Sequence, residues 1–329
     1  MGIYRKGENM KKELIIEELK KHDSTVLSFP DRGPWGSSSY RGNCSGWIPA
    51  YFIWKYGINK VAEIFAGSGT TYDVCRDMNV SYTGIDLNPN PVRDGIIPMN
   101  ILDTAVDLPD GFYDADMLFI HPPYPSIKNV HYSNSMWKDT ANISQHDIQE
   151  MNWDDGMKAV NKSIMRGYSA MQPGAYEVIL VGEIRSNGQY FSMFRNLAIP
   201  GILHQTFIKL QHNCVSNKMS YKKSDFTLIG HEMIAVIKKP SGYEIAYVMP
   251  KEYKVDIRDS QAATWKDVVY GVLRSRKSEF TLDEIYNEIS CHCKAKRNPH
   301  WKEKVRQVLQ QLEISNHAVH PQKGVWMVA

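Results

Sequence analysis

What this chain lacks narrows it first. No uncharged apolar run reaches the roughly 18 residues of a membrane span, so no membrane partner is expected. Cysteine is scarce: Cys44, Cys75, Cys214, Cys291 and Cys293 are the whole set among 329 residues. An odd number without framework spacing argues against a disulfide scaffold and for reduced thiols, so a cytoplasmic location is expected. Met1-Gly2 carries no myristoylation signal, because position 6 is Lys rather than Ser or Thr. Internal repeats and low-complexity tracts are missing too. What is left, 43% hydrophobic and 23% charged residues, is ordinary for a globular chain. The length allows one large core plus a small module, or two domains.

Charge is nearly balanced overall, at +3, but unevenly placed. From Trp265 to Ala329 there are 11 Lys+Arg against 7 Asp+Glu, so the positive excess sits in the last fifth of the chain. That distribution hints at a polyanionic partner for this segment.

Met10–Lys21 has helical spacing, with Leu14, Ile15, Ile16 and Leu19 on one side; residues 1–27 are therefore read as an N-terminal helical segment. Residues 28–48 are dense in Gly, Ser and Pro and read as loop. Beyond them strand-like and helix-like stretches alternate. The strands are Val61–Phe65, Ser81–Ile85, Asp116–Ile120, Tyr176–Gly182, Thr206–Leu210 and Ile234–Lys238; helices are expected from Thr71 and over Gln149–Ala170. The alternation predicts an α/β fold with a mostly parallel, Rossmann-like sheet over residues 28–240. The last two strands flank a polar loop and suit an antiparallel hairpin. Residues 241–263 read as a linker, and 264–329 as a compact helical module. There Thr264 and Thr281 are expected caps, with Asp267 and Glu284 three residues on, and Asn298-Pro299 opens a third helix. Three short helices and a hairpin turning at Lys323-Gly324 follow the plan of a winged helix.

Chemistry concentrates at two places. The run Phe65-Ala66-Gly67-Ser68-Gly69-Thr70-Thr71 joins a strand to a helix. Gly67 and Gly69 allow close backbone approach, and the helix start offers N–H groups to a ligand. A dinucleotide site would fill a third glycine place, and this run does not. Asp86, at the end of the next strand, suits ribose hydroxyls, and Asp103 suits an adenine amino group. The second place is His121-Pro122-Pro123-Tyr124, directly after the apolar strand Met117–Ile120, which reads as a clamp for a planar amino group.

Glu63-Ile64-Phe65-Ala66-Gly67-Ser68-Gly69-Thr70-Thr71 resembles the first motif of S-adenosylmethionine-dependent DNA amino-methyltransferases, usually Asp-Pro-Phe-Ala-Gly-Ser-Gly-Thr-Thr. Thr83-Gly84-Ile85-Asp86-Leu87-Asn88-Pro89 is similar to the acidic motif that follows it. Arg41-Gly42-Asn43-Cys44-Ser45-Gly46 sits where that family contacts the donor's methionine part. Gln172-Pro173-Gly174 and Val181–Arg185 match a later core strand, and Lys209–Asn213 and His231-Glu232 are also similar to bacterial and phage modification methylases. The motif order resembles the gamma class.

The resemblance implies S-adenosyl-L-methionine as cofactor. Its binding residues would be Arg41, Asn43, Glu63, Phe65, Ala66, Gly67, Ser68, Gly69, Thr70, Thr71, Asp86, Leu87 and Asp103. It also implies His121, Pro122, Pro123 and Tyr124 as the catalytic turn, acting on an exocyclic amine. In the family the first motif residue and the carbonyl of the second accept the two amino hydrogens, which frees the nitrogen lone pair to attack the methyl; the tyrosine stacks on the extruded base. His121 departs from the usual Asp, Asn or Ser. A neutral imidazole accepts one hydrogen bond and an imidazolium none, so activity would fall on protonation near the ordinary value of about 6.5.

The implied partner is double-stranded DNA, with a cognate restriction endonuclease as a further expectation. Adenine N6 is favoured and cytosine N4 stays open. RNA and protein-glutamine amino-methyltransferases use similar turns, and an inactive methylase body serving as a DNA-binding regulator is the reading from another class.

Weaker signals are a substrate-covering role for residues 125–148, phosphate contacts from Lys218, Lys222 and Lys223 with Tyr221, and major-groove contacts from Lys302, Lys304 and Arg306. Cys291-His292-Cys293, with His300 nearby, lacks a second ligand pair, so no metal is expected.

Overall fold

The computed structural model describes residues 9–37, 39–126, 131–138, 143–186, 188–212, 227–241, 246–249 and 263–329. The loop cations Lys218, Lys222 and Lys223 with Tyr221, most of the 241–263 linker and parts of 125–148 lie outside the described residues. The chain divides into two compact units, Met1–Pro250 and Lys251–Ala329.

The first unit is built on one large sheet. Its strands are β1 (Val26–Leu27), β2 (Lys60–Ile64), β3 (Ser81–Asp86), β4 (Ile96–Pro98), β5 (Met117–Ile120), β6 (Tyr176–Ser186), β7 (Gln189–Ser192), β9 (Ile202–Leu210) and β10 (His231–Lys238); a short β8 (Ile199–Pro200) pairs instead with β11 (Tyr247–Val248). The order is β1-β9-β10-β6-β5-β2-β3-β4, with β7 added to β6. From β4 to β6 every pairing is parallel, and β10 alone runs against both its neighbours. The expected hairpin of the last two strands is therefore present, in register with Lys209 opposite Glu232.

Alternation on a doubly covered sheet explains the continuous apolar strands. On β5, Met117 and Phe119 enter one core with Val74 and Met78, while Leu118 and Ile120 enter another with Val160 and Ile164. Helices α1 (Lys12–Leu19), α2 (Trp47–Tyr56) and α3 (Thr70–Met78) supply the first layer, and α4 (Trp153–Ala170) the second. This is the Rossmann-like α/β class that the sequence predicts. Helix α2 is not predicted by it. Trp47 through Ile53 are all buried, so the helix has no polar face to give it a period, and Pro49 sits in the first turn where a proline is tolerated. Among the described residues no helix is long and apolar enough to cross a membrane.

In the second unit α5 (Trp265–Arg274), β12 (Phe280–Thr281), α6 (Leu282–Ser290), α7 (Cys293–Arg297) and α8 (Trp301–Ile314) precede the hairpin β13 (Ala318–Gln322) and β14 (Val325–Val328). β14 lies between β12 and β13, and the helices bury Val268, Ile285, Val305 and Leu309 in one core with Trp326. Both expected capping boxes form, Thr264 with Asp267 and Thr281 with Glu284. The third cap differs. Asn298 accepts the His300 N–H, a step before α8, and His300 stands at the cap position.

Candidate functional site

The C-terminal ends of β2, β3 and β5 open on one cavity of about 620 Å³. The glycine turn forms one wall. Phe65 takes φ +66, an uncommon left-handed conformation for a bulky residue, and Gly67 (+51) and Gly69 (+74) follow it. Three left-handed residues in five fold the chain tightly enough for the Gly67 N–H to reach Asp86 Oδ2, at 2.7 Å, while Asp86 Oδ1 accepts the Asn88 N–H at 2.9 Å. Both carboxylate oxygens keep acceptor capacity toward the cavity. Burial raises the Asp86 pKa against these two backbone bonds.

The predicted cofactor residues separate into three groups. Arg41, Asn43, Glu63, Phe65, Ala66, Gly67, Ser68, Thr70, Asp86 and Leu87 line the cavity. Gly69 and Thr71 stand behind its wall: Gly69 caps α3, and Thr71 Oγ1 donates to Glu63 Oε1 at 2.6 Å. Asn43 fastens the loop above the turn, donating to the Ser37 carbonyl at 2.7 Å and accepting from Thr70. Asp103 is a correction. Its side chain is exposed and accepts the Ala105 N–H at 3.0 Å to close a turn, while Asn100, Ile101 and Leu102 face the cavity in its stead.

Glu63 also accepts from Tyr82, and burial carries its carboxyl up to about 8, so it is largely protonated near neutrality.

From the end of β5, the strand paired with β2, His121, Pro122, Pro123 and Tyr124 follow and all line the same cavity. Tyr124 donates to Glu232 Oε1 at 2.7 Å, and Lys209 pairs with the other oxygen. His121 Nε2 stands 4.0 Å from Glu232 Oε1. Burial opposes ionisation of Glu232, but the Lys209 ammonium, His121 and the two hydrogen bonds outweigh it and hold the carboxyl down at about 2. Burial lowers the His121 imidazole to about 4; Glu232 pulls it up by less than burial costs, and Lys209 pushes it further down. The expected titration near 6.5 is thereby corrected: the ring is a neutral acceptor throughout the physiological range.

Lys209 and Glu232 had no assigned role in the sequence. Their signal was one charge of each sign, at the end of one strand and the start of the next, which the antiparallel register sets opposite each other.

A third wall is aromatic. Tyr40 stacks on Tyr132 at 5.7 Å, Tyr132 on Trp137 at 5.9 Å, and Trp137 Nε1 donates to Tyr40 Oη at 3.3 Å. Tyr132, Trp137, His146, Asp147 and Ile148 come from the 125–148 stretch, and buried Asp147 pins it by accepting from Ser133 N–H and Oγ. Among the described residues no cluster of three or more His, Cys, Asp or Glu could hold a metal.

Tyr124 owes its place to a missing side chain. A Cβ on Gly182 would lie 2.6 Å from its hydroxyl oxygen and 2.9 Å from Cζ. Gly182→Ala should displace the ring, and any turnover that depends on its position should fall by ~10²-fold in kcat/KM, the scale of an ångström-sized misplacement. Affinity for a ligand of the Gly67 wall should stay unchanged in calorimetry. Wild-type turnover in that variant would show that the tyrosine's position does not matter.

No family model matches this chain, and no curated protein matches it. Solved structures do, at a distance. A SAM dependent methyltransferase from Archaeoglobus fulgidus is 13% identical over 58% of this chain and 93% of its own, with a TM-score of 0.33. The N-methyltransferase NodS from Bradyrhizobium japonicum WM9, in complex with S-adenosyl-L-homocysteine, is 10% identical over 71% and 100%, with 0.34. An O-methyltransferase family protein from Burkholderia thailandensis is 10% identical over 60% and 58%, with 0.30. At these identities and scores no residue role passes from those proteins to this one.

Proposed function

We propose that this protein transfers a methyl group from S-adenosyl-L-methionine to the exocyclic amine of a base in DNA, adenine N6 before cytosine N4. One observation carries the reading: a neutral imidazole and a Pro-Pro-Tyr turn face the same cavity as a glycine turn and a ribose-type carboxylate. The donor's ribose would sit on Asp86, its adenine among Leu87, Ile101 and Leu102, and its amino-acid end toward Glu63 and Asn43. Bound there, it supplies an electrophilic methyl. His121 and the Pro122 carbonyl would accept the two amino hydrogens, and Tyr124 would stack on the base. The two prolines offer no N–H to compete for those acceptors. The second unit reads as a winged helix whose basic stretch, Lys294 to Arg306, meets the phosphate backbone.

Expression in a methylation-free host, followed by modification-aware sequencing, tests the reading and reports base and sequence context together. Genomic DNA left unmodified by wild type and His121→Ala alike would exclude it.

Glu63 makes donor binding pH-dependent. A ligand ammonium beside it favours the ionised carboxylate, so binding below pH 8 should release protons and tighten as pH rises, levelling off above about 8. Calorimetry in buffers of different ionisation enthalpy measures that release, and Glu63→Gln should abolish it.

A further inference from the structure

Two buried polar atoms in the cavity wall have no hydrogen-bond partner: Nε of Arg32 and Oγ of Ser45. The backbone holds the two residues together. The Gly46 N–H donates to the Arg32 carbonyl at 3.0 Å, and Arg32 Nη2 donates to the Cys44 carbonyl at 3.4 Å, so Ser45 is bracketed from both sides. Among the described residues no carboxylate pairs with the guanidinium. The neighbouring Asp31 Oδ1 accepts the Gly33 N–H at 2.8 Å and Trp47 Nε1 at 3.3 Å. Burial lowers the Arg32 pKa, and the Cys44 thiol, the titratable group acting on it, is pushed up to about 12 and so is neutral. A half-buried guanidinium with one long hydrogen bond and a buried, unpaired Nε, beside a buried, unpaired hydroxyl oxygen on the same cavity wall, leaves polar atoms unsatisfied unless a ligand completes them. An arginine fork with one hydroxyl matches the oxygens of a carboxylate or phosphate.

We infer that Arg32 and Ser45 form a seat for an oxyanion within the same cavity as the His121 turn. The inference rests on the methyl-transfer reading only for the source of that oxyanion, which is either the donor's α-carboxylate or a backbone phosphate next to the base held at His121.

Wild type, Arg32→Gln, Arg32→Lys and Ser45→Ala are compared with three ligands: S-adenosylhomocysteine, 5′-methylthioadenosine, which is the same nucleoside without the amino-acid part, and unmethylated plasmid DNA. If the seat holds the donor, Arg32→Gln weakens S-adenosylhomocysteine by ~10- to 100-fold and leaves 5′-methylthioadenosine unchanged. If it holds a phosphate, both nucleosides bind as before, DNA weakens by a similar factor, and the log–log salt slope falls by about one. Arg32→Lys recovers part of the loss, and Ser45→Ala shows a smaller loss with the same ligand. All three ligands within about twofold of wild type in both Arg32→Gln and Ser45→Ala would overturn the seat, leaving the guanidinium as a brace for the Cys44 carbonyl. A wild type that binds neither nucleoside refutes the donor reading instead. The seat is then judged by inorganic phosphate: stabilisation of wild type over chloride at matched ionic strength, lost in Arg32→Gln, supports it, and equal stabilisation of both proteins overturns it.

Discussion

Replacing His121 with Ala should reduce methyl transfer by at least ~10²- to 10³-fold in kcat, the usual cost of deleting one preorganised polar contact at a reacting centre. Donor affinity should change little, because the contacts proposed for the donor are made by Asp86, Glu63 and Asn43 and not by the imidazole. His121→Asn keeps an acceptor carbonyl and should restore part of the rate. The pH profile separates this account from one based on an ordinary histidine. Burial places the His121 pKa at about 4, so kcat at saturating donor should be flat from about pH 5 to 8 and fall toward 4, while His121→Asn shows no fall from this group. The same shift affects stability. The unfolded ring protonates near about 6.5 and the folded ring near about 4, so the unfolded state binds more protons between these values and stability drops as pH falls through that window. A rate that halves near pH 6.5 would mean that burial does not set the state of the ring, and wild-type turnover in His121→Ala would remove the imidazole from the mechanism.

Much of this site was legible in the sequence because its parts are local. The Phe65–Thr71 turn and the His121–Tyr124 turn each follow a short apolar strand, and backbone chemistry alone marks them. Asp86 was legible for the same reason, standing where the next strand ends. What escaped was non-local. Glu232 lies 108 residues from Tyr124, whose hydroxyl it accepts, and only strand pairing brings it there. The aromatic wall joins Tyr40 to Trp137 across 97 residues. Asp103 misled because an acidic residue near a strand end serves a turn as readily as a ligand. Helix α2 was invisible because uniform burial erases periodicity. Arg32 and Ser45 lie in a stretch read as loop, and nothing in its composition announces that two of its donors end up dry.

The electrostatics of the acceptor side form a unit. Lys209 and Glu232 neutralise each other inside the cavity, and Tyr124 spends its proton on Glu232. His121 therefore meets little net charge, and desolvation decides its state. The unusual motif residue and the cross-strand ion pair are thus linked. An aspartate in place of His121 would stand near Glu232 as a second buried carboxylate, and like charges at that range cannot both ionise cheaply. A neutral ring accepts without that conflict. His121→Asp should accordingly be a poorer rescue than His121→Asn.

Glu177 offers the largest gain in stability. It lies on β6, fully buried, and neither carboxyl oxygen has a hydrogen-bond partner. Its β-sheet neighbours in register are Leu118 and Ile237. Burial drives its pKa well above the ordinary carboxylate value, and Lys239 only moderates this; the ammonium is occupied by the Tyr168, Ser169 and Met171 carbonyls. The folded protein therefore keeps Glu177 protonated where the unfolded chain ionises it. Above about pH 4.5 the unfolded state binds fewer protons than the folded one, and stability falls as pH rises. Glu177→Met, close in volume, should stabilise the first unit by ~2 kcal/mol near neutrality, the cost of a buried unsatisfied polar group. That corresponds to ~4–8 °C in Tm for a unit of this size. The advantage over wild type should shrink at pH 4, where the side chain is protonated in both states, and widen toward pH 8. Urea melts of the two proteins at both pH values measure the difference directly, with other titrating groups cancelling between them. A variant less stable than wild type at pH 8, or an advantage independent of pH, would mean that the buried carboxyl is satisfied in a way its surroundings do not reveal.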